Sequence, residues 1–153
     1  MNNIETTNRV ILDNNVSQLE SMLNDFVAGV EYQRQAVLDR YNVNLLDVEI
    51  IRYLNNNQMK KMKEIGEHFG IKLSTLTSII DKLEKVKLAR RKHSKEDRRV
   101  IYLQPTSKGI RLLSELEQVT RGLAELLNQA LGSSEMQTFS SGMAHMLERL
   151  RAN

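Results

Sequence analysis

The sequence predicts a mainly α fold: a winged helix-turn-helix domain with a small β-hairpin wing, plus N- and C-terminal dimerisation helices. Three observations point there. Two short amphipathic stretches meet at Gly70-Ile71-Lys72-Leu73, a turn of the length and glycine content that joins such helix pairs. Directly afterwards the pattern changes from helical period to strand, polar turn and strand. Both ends of the chain carry long apolar stripes at helical spacing. The 153 residues are expected to form a single unit, with 10–42 and 106–153 as a helical dimerisation region and 44–105 as the winged helix-turn-helix region.

Each element has its own signal. Val16, Leu19, Leu23, Phe26, Val27, Val30, Val37, Leu38 and Tyr41 recur three and four apart, which predicts a long amphipathic helix over 16–41. Asn42-Val43-Asn44 interrupts it. Asn44 is the expected N-cap of a second helix, with Asp47 supplying charge at its positive end and Leu45, Val48, Ile51 and Leu54 facing the core. The turn-prone run Asn55-Asn56-Asn57 stops it. A third helix over 61–69 presents Met62, Ile65 and Phe69 and ends at Gly70. The fourth, over 74–87, presents Leu76, Ile79, Ile80 and Leu83. Strands at 90–93 and 99–103 bracket the turn 94–98, and a hairpin in that place is a wing. Pro105 ends the second strand for want of an N–H, and Thr106 or Ser107 caps the next helix. That helix spans 108–131, with Leu112, Leu113, Leu116, Val119, Leu123, Leu126, Leu127 and Ala130 near heptad spacing, and closes at Gly132. Ser133 or Ser134 caps a last helix expected to bury Met136, Phe139, Met143, Met146, Leu147 and Leu150. A winged domain of about 70 residues cannot cover all these terminal stripes, so they are expected to pack against their copies in a twofold homodimer.

The net charge of +3 hides a segregation. Between residues 59 and 111, ten Lys and five Arg oppose six acids, a net of +9; the remainder has seven Arg, no Lys and 13 acids, a net of −6. Such a local excess is the footprint of a surface that binds a polyanion. Turn signals break the basic segment, so it is not one basic amphipathic helix, which favours double-stranded DNA over a membrane. No apolar run approaches the roughly 18 residues that span a bilayer. The opening MNNIETTNRVILDNN has neither the basic start nor the apolar core of a secretory signal, so a cytoplasmic protein is expected. The absence of Cys excludes disulfides, thiolate metal sites and cysteine redox sensing. His68, His93 and His145 fall on three separate elements, so neither a metal nor a cofactor is expected. There is no Gly-rich phosphate loop and no nucleophile–base arrangement, and the chain is not expected to be an enzyme.

The second helix of a helix-turn-helix enters the major groove with its N-terminal residues against base edges. Here those are Ser74, Thr75, Thr77 and Ser78, with Lys82 one turn on. Small hydroxyls let the backbone approach closely but select bases weakly, which leaves room for DNA shape. Lys61, Lys63, Lys72, Lys85 and Arg90 are the candidate phosphate contacts. Lys72 stands where a Ser or Asp cap is expected, so either the cap moves to Ser74 or Lys72 gives up capping to meet a phosphate. In the wing, Asp97-Arg98-Arg99 offers guanidinium groups to a narrow minor groove, with Asp97 holding the turn or Arg99.

These residues resemble the multiple-antibiotic-resistance regulator (MarR) family of winged-helix transcription factors. The likeness covers nearly the whole chain. It rests on helix order and on the segment from Met62-Lys63-Glu64-Ile65-Gly66 through Ser74-Thr75-Leu76-Thr77-Ser78-Ile79-Ile80-Asp81-Lys82-Leu83-Glu84. The family's wing pattern, Asp-x-Arg, five residues, then Leu-Thr, is matched by Asp97, Arg99 and Thr106, with Pro105 in place of Leu. Gly66 replaces a usual Ala, and Ala89 lies where Val is frequent. The resemblance implies a homodimer reading a near-palindromic operator, with Arg99 in the minor groove and Asp97 supporting it. It also implies a repressor released by a small aromatic or other effector bound between the dimerising helices and the winged region. Tyr32, Arg40 and Tyr41 are suitable types near such a cleft, and core packing explains them equally well. A ligand-independent winged-helix activator and a protein-interaction module are the alternative readings.

Overall fold

The structure is a computed structural model that describes residues 2–57, 60–94 and 100–152, with side chains described from residue 14 onward. Its elements are α1 (Asn2–Tyr41), α2 (Leu45–Asn56), β1 (Lys60–Lys61), α3 (Met62–Phe69), α4 (Leu73–Lys85), β2 (Ala89–His93), β3 (Ile101–Pro105), α5 (Ser107–Ala130) and α6 (Ser133–Ala152). This is the mainly α winged helix-turn-helix architecture that the sequence predicts. The chain divides into two compact units, Met1–Leu116 and Glu117–Asn153.

The core of the first unit is built where α2, α3, α4 and the sheet converge. Val48, Ile50, Ile51, Leu54, Ile65, Leu76, Ile80, Leu83, Leu88, Leu103 and Leu112 are completely buried. Each such aliphatic side chain is worth roughly 1.5–3 kcal/mol relative to exposure, which is what fixes the helix-turn-helix geometry. Ile50, not the expected Leu45, joins Val48, Ile51 and Leu54; Leu45 opens α2 and stays exposed. Among the described side chains of α1, only Val37, Leu38 and Tyr41 are buried. Val16, Leu19, Leu23, Phe26 and Val27 remain exposed in the single chain, because the packed core reaches only the last turns of this 40-residue helix. Asn42, in the left-handed region at φ 54°, ends α1, and Val43 N–H returns to Leu38 O at 3.1 Å.

Asn44 caps α2 as expected. Its Oδ1 accepts from Asp47 N–H and Asp47 Oδ2 accepts from Asn44 N–H, both at 2.9 Å, forming a reciprocal capping box.

The wing is part of a three-stranded antiparallel sheet of order β1-β3-β2, with Leu103 paired to Lys60 on one side and Arg91 on the other. The two-residue β1 has no sequence signal of its own. Pro105 is the final residue of β3, opposite Ala89. Thr106 then joins three elements: its Oγ1 accepts from Gly109 N–H at 3.2 Å as the α5 cap, its hydroxyl donates to Lys87 O at 2.6 Å, and its N–H donates to Leu88 O at 3.0 Å. A Cβ on Gly109 would lie 2.3 Å from Leu88 O, so this crossing admits only glycine.

In the second unit, the cap of α6 is not a serine. Glu135 Oε2 reaches back to Gly132 N–H at 2.8 Å, and Ser133 and Ser134 are already the first two residues of the helix. None of the described residues of α6 is buried in the single chain, and Phe139, Met143, Met146, Leu147 and Leu150 are all exposed.

Candidate nucleic-acid interface

The turn between α3 and α4 is set by two glycines. Gly70, at φ 63°, ends α3 in the left-handed conformation, and Ile71 N–H donates to Gly66 O at 2.8 Å. A Cβ on Gly66 would stand 3.0 Å from Ile71 O, so a side chain there requires this carbonyl to shift by a few tenths of an ångström. Lys72 is the N-cap of α4 by backbone conformation, φ −61° and ψ 143°, and makes no side-chain cap. The cap does not move to Ser74, which is the second residue of the helix.

Because Leu76, Ile80 and Leu83 turn inward, Ser74, Thr75, Thr77 and Ser78 come out on the exposed face of α4. Two of these hydroxyls are already committed as donors. Thr77 Oγ1 donates to Leu73 O at 2.8 Å and Ser78 Oγ to Ser74 O at 3.3 Å. What Thr77 and Ser78 offer outward is therefore an acceptor oxygen and, for Thr77, a methyl group.

Lys82 has a partner that the sequence does not reveal. Its Nζ lies 2.5 Å from Oδ2 of Asp47, a carboxylate 2% exposed. Other basic candidates sit on the surface. Lys61 is exposed, with its N–H donating to Glu64 Oε2 at 2.8 Å, and Lys63 is exposed, 3.7 Å from Glu67 Oε1. The Lys61 bond is made by its backbone, and an exposed pair such as Lys63–Glu67 is worth little and leaves the ammonium available to another anion. Lys72 and Lys85 are exposed as well. Arg90 is exposed opposite Gln104 in the β2–β3 ladder, and its guanidinium meets the Gln104 amide oxygen. Asp97, Arg98 and Arg99 lie outside the described residues; the hairpin below them is closed by Ser94 N–H to Val100 O at 2.9 Å.

Sequence reasoning missed the group that ties the wing to α4. Glu84 accepts from Arg91 N–H at 2.7 Å and from the Arg91 guanidinium, whose Nη2 also lies 2.7 Å from Asp81 Oδ1. The available signal was two acids three apart on one helix face inside a strongly basic segment. Beside these groups runs an open groove of about 630 Å³ lined by Met62, Leu73, Thr77, Val100 and Ile101, with Lys61, Lys63 and Arg91 along it.

The structure does not bring Tyr32, Arg40 and Tyr41 together. Tyr32 lines an open depression of about 930 Å³ with Phe26, Val30, Arg34, Leu38 and Leu45. Arg40 and Tyr41 both turn to Glu115 on α5, at 2.9 and 2.7 Å. Burial pushes the Tyr41 phenol above its ordinary value of 10.0, and the Glu115 carboxylate that accepts its proton adds to the shift. Among the described residues no three His, Asp or Glu side chains are grouped to hold a metal, and no helix is long and apolar enough to cross a membrane.

Comparison with known proteins agrees with this geometry. The MarR family model matches residues 43–101, the span from α2 to the start of β3. The uncharacterised HTH-type transcriptional regulator YfiV of Bacillus subtilis is 31% identical over 86 residues, 56% of this chain, and the chain spans about half, 49%, of that relative. The fold matches the crystal structure of YusO from Bacillus subtilis with a TM-score of 0.74 at 23% identity, covering 89% of this chain and 96% of that one. It also matches MepR of S. aureus, solved as a DNA complex, with a TM-score of 0.72 at 19% identity over 88% and 98% of the two chains. Residues 43–101 are thus similar to the MarR family, and the winged helix-turn-helix fold of the chain is shared with these solved structures.

Proposed function

We propose that this protein is a cytoplasmic, DNA-binding transcriptional regulator without enzymatic activity, acting as a homodimer on a near-palindromic operator. The carrying observation is the exposed face of α4, where four hydroxyl residues are flanked by Lys61, Lys63, Lys72 and Lys85 in a segment that holds every lysine of the chain. In this reading Ser74, Thr75, Thr77 and Ser78 meet the major groove and the lysines and Arg90 meet phosphates. Arg98 and Arg99, supported by Asp97, reach the minor groove. The apolar stripes of α1 and α6, exposed in a single chain, are covered by a second copy. Repression follows from occupancy, since a dimer seated across an operator excludes other proteins from it. A small aromatic or other effector, taken up beside Tyr32, would release it.

The test is a gel-shift titration on duplexes selected from a random-sequence pool. Log affinity is expected to fall linearly with log salt, at about 0.9 per phosphate neutralised. Arg99→Ala should cost about 1–3 kcal/mol of specific binding, the worth of one good base contact. A flat salt dependence would overturn the reading in favour of a protein-interaction module.

A further inference from the structure

The face that α4 turns to DNA under the proposed function is less polar than its sequence suggests. Leu73, the first residue of the helix, is 58% exposed, while Leu76, Ile80 and Leu83 are completely buried. The core does not use Leu73. Thr77 lies one turn on, so the two side chains sit one above the other. Its hydroxyl proton is held by Leu73 O at 2.8 Å. Both residues line the groove that Met62, Val100 and Ile101 complete; Lys61, Lys63 and Arg91 line it too, with Asp81 paired to Arg91, and the exposed Lys72 immediately precedes Leu73 in the chain. An exposed leucine beside an excess of cations fits a ligand that is anionic at its rim and apolar at one point inside. Duplex DNA has that character where a thymine C5-methyl projects into the major groove between phosphate backbones.

We propose that Leu73, with the Thr77 methyl beside it, is a specificity-determining residue that reads the C5-methyl of one thymine in each half-site. Thr77 Oγ1, free only to accept, receives a hydrogen bond from an exocyclic amino group of a neighbouring base. The proposal rests on the DNA-binding reading and refines it: one position of the operator is selected by an apolar contact and not by hydrogen bonds.

The experiment replaces thymine by deoxyuridine, one position at a time, in duplexes recovered by random-pool selection. This removes a methyl group and leaves every hydrogen-bonding atom in place. The wild-type protein should bind about fourfold more weakly at one thymine per half-site, the worth of one methyl group taken out of water. Leu73→Ala should bind both duplexes alike at that position with an unchanged salt slope, and Leu73→Met should keep the difference. Wild-type indifference to uracil at every position would overturn the proposal without any variant, as would a Leu73→Ala protein that keeps the full penalty. Failure to recover any preferred duplex would instead remove the DNA-binding reading on which it rests.

Discussion

Lys82 on α4 donates a 2.5 Å hydrogen bond to the buried carboxylate of Asp47, the residue that also closes the capping box of α2. One side chain thus fixes the start of α2 and ties it to the helix that carries the candidate base contacts. A lysine that reads as a DNA contact by its place on α4 is also a strut between two helices.

That relationship predicts a separable effect. Lys82→Met leaves the Asp47 charge buried with one donor fewer, and a loss of about 1–3 kcal/mol is expected in urea unfolding. Adding Asp47→Asn should recover part of it, because a neutral amide needs no counter-ion. If Lys82→Met weakens DNA binding while the urea midpoint stays where it was, the lysine acts on DNA and not as a strut.

The C-terminus of α4 carries local strain. Lys87 has φ 62°, in the left-handed region where side chains are disfavoured, with its N–H on Glu84 O at 2.9 Å and its carbonyl on Thr106. Lys87→Gly keeps those backbone bonds and relieves the conformation, so stability should rise by about 0.5–1 kcal/mol. Denaturant melts that show a fall would mean the lysine side chain contributes more than its backbone costs.

Most of the helical frame was legible because it follows from spacing and caps. The helix-turn-helix, the wing strands, the Asn44 cap and the Gly70 stop each rest on a few adjacent residues. What escaped the sequence depends on tertiary meeting. The two-residue β1 exists only because β3 lies beside it, and Asp47–Lys82 joins positions 35 apart. Arg91 appears as one basic residue among many until Asp81 and Glu84 converge on it. Periodicity also identifies an apolar face without saying what covers it: the α6 stripe is exposed in the single chain.

That stripe gives a direct assay of assembly. Phe139, Met143, Met146 and Leu147 are 39–43% exposed and recur along one face of α6. If a second copy covers them, the wild-type protein sediments as a dimer at micromolar concentration and Leu147→Glu shifts it to monomer, since a buried unpaired carboxylate is costly. A monomeric wild-type protein under those conditions removes the homodimer from the proposed function.

Alkaline pH should weaken the hold of Tyr41 on Glu115. The Tyr41 phenol is neutral at pH 8 and donates to Glu115 Oε1 at 2.7 Å, and its folded-state pKa is raised above 10.0 by burial and by that carboxylate. A group whose folded pKa is raised contributes stability that is complete below the unfolded value and declines as pH climbs through the folded one. Tyr41→Phe should therefore be less stable than wild type at pH 8, by about 1–2 kcal/mol for a hydrogen bond to a charged acceptor. The gap should narrow as pH rises above 10, where the unfolded wild-type chain ionises first. Paired urea melts from pH 8 to 11 measure it, and phenolate absorbance follows the ionisation itself. A stability difference that stays constant across that range would show that the Tyr41 hydroxyl acts through packing and not through its proton on Glu115.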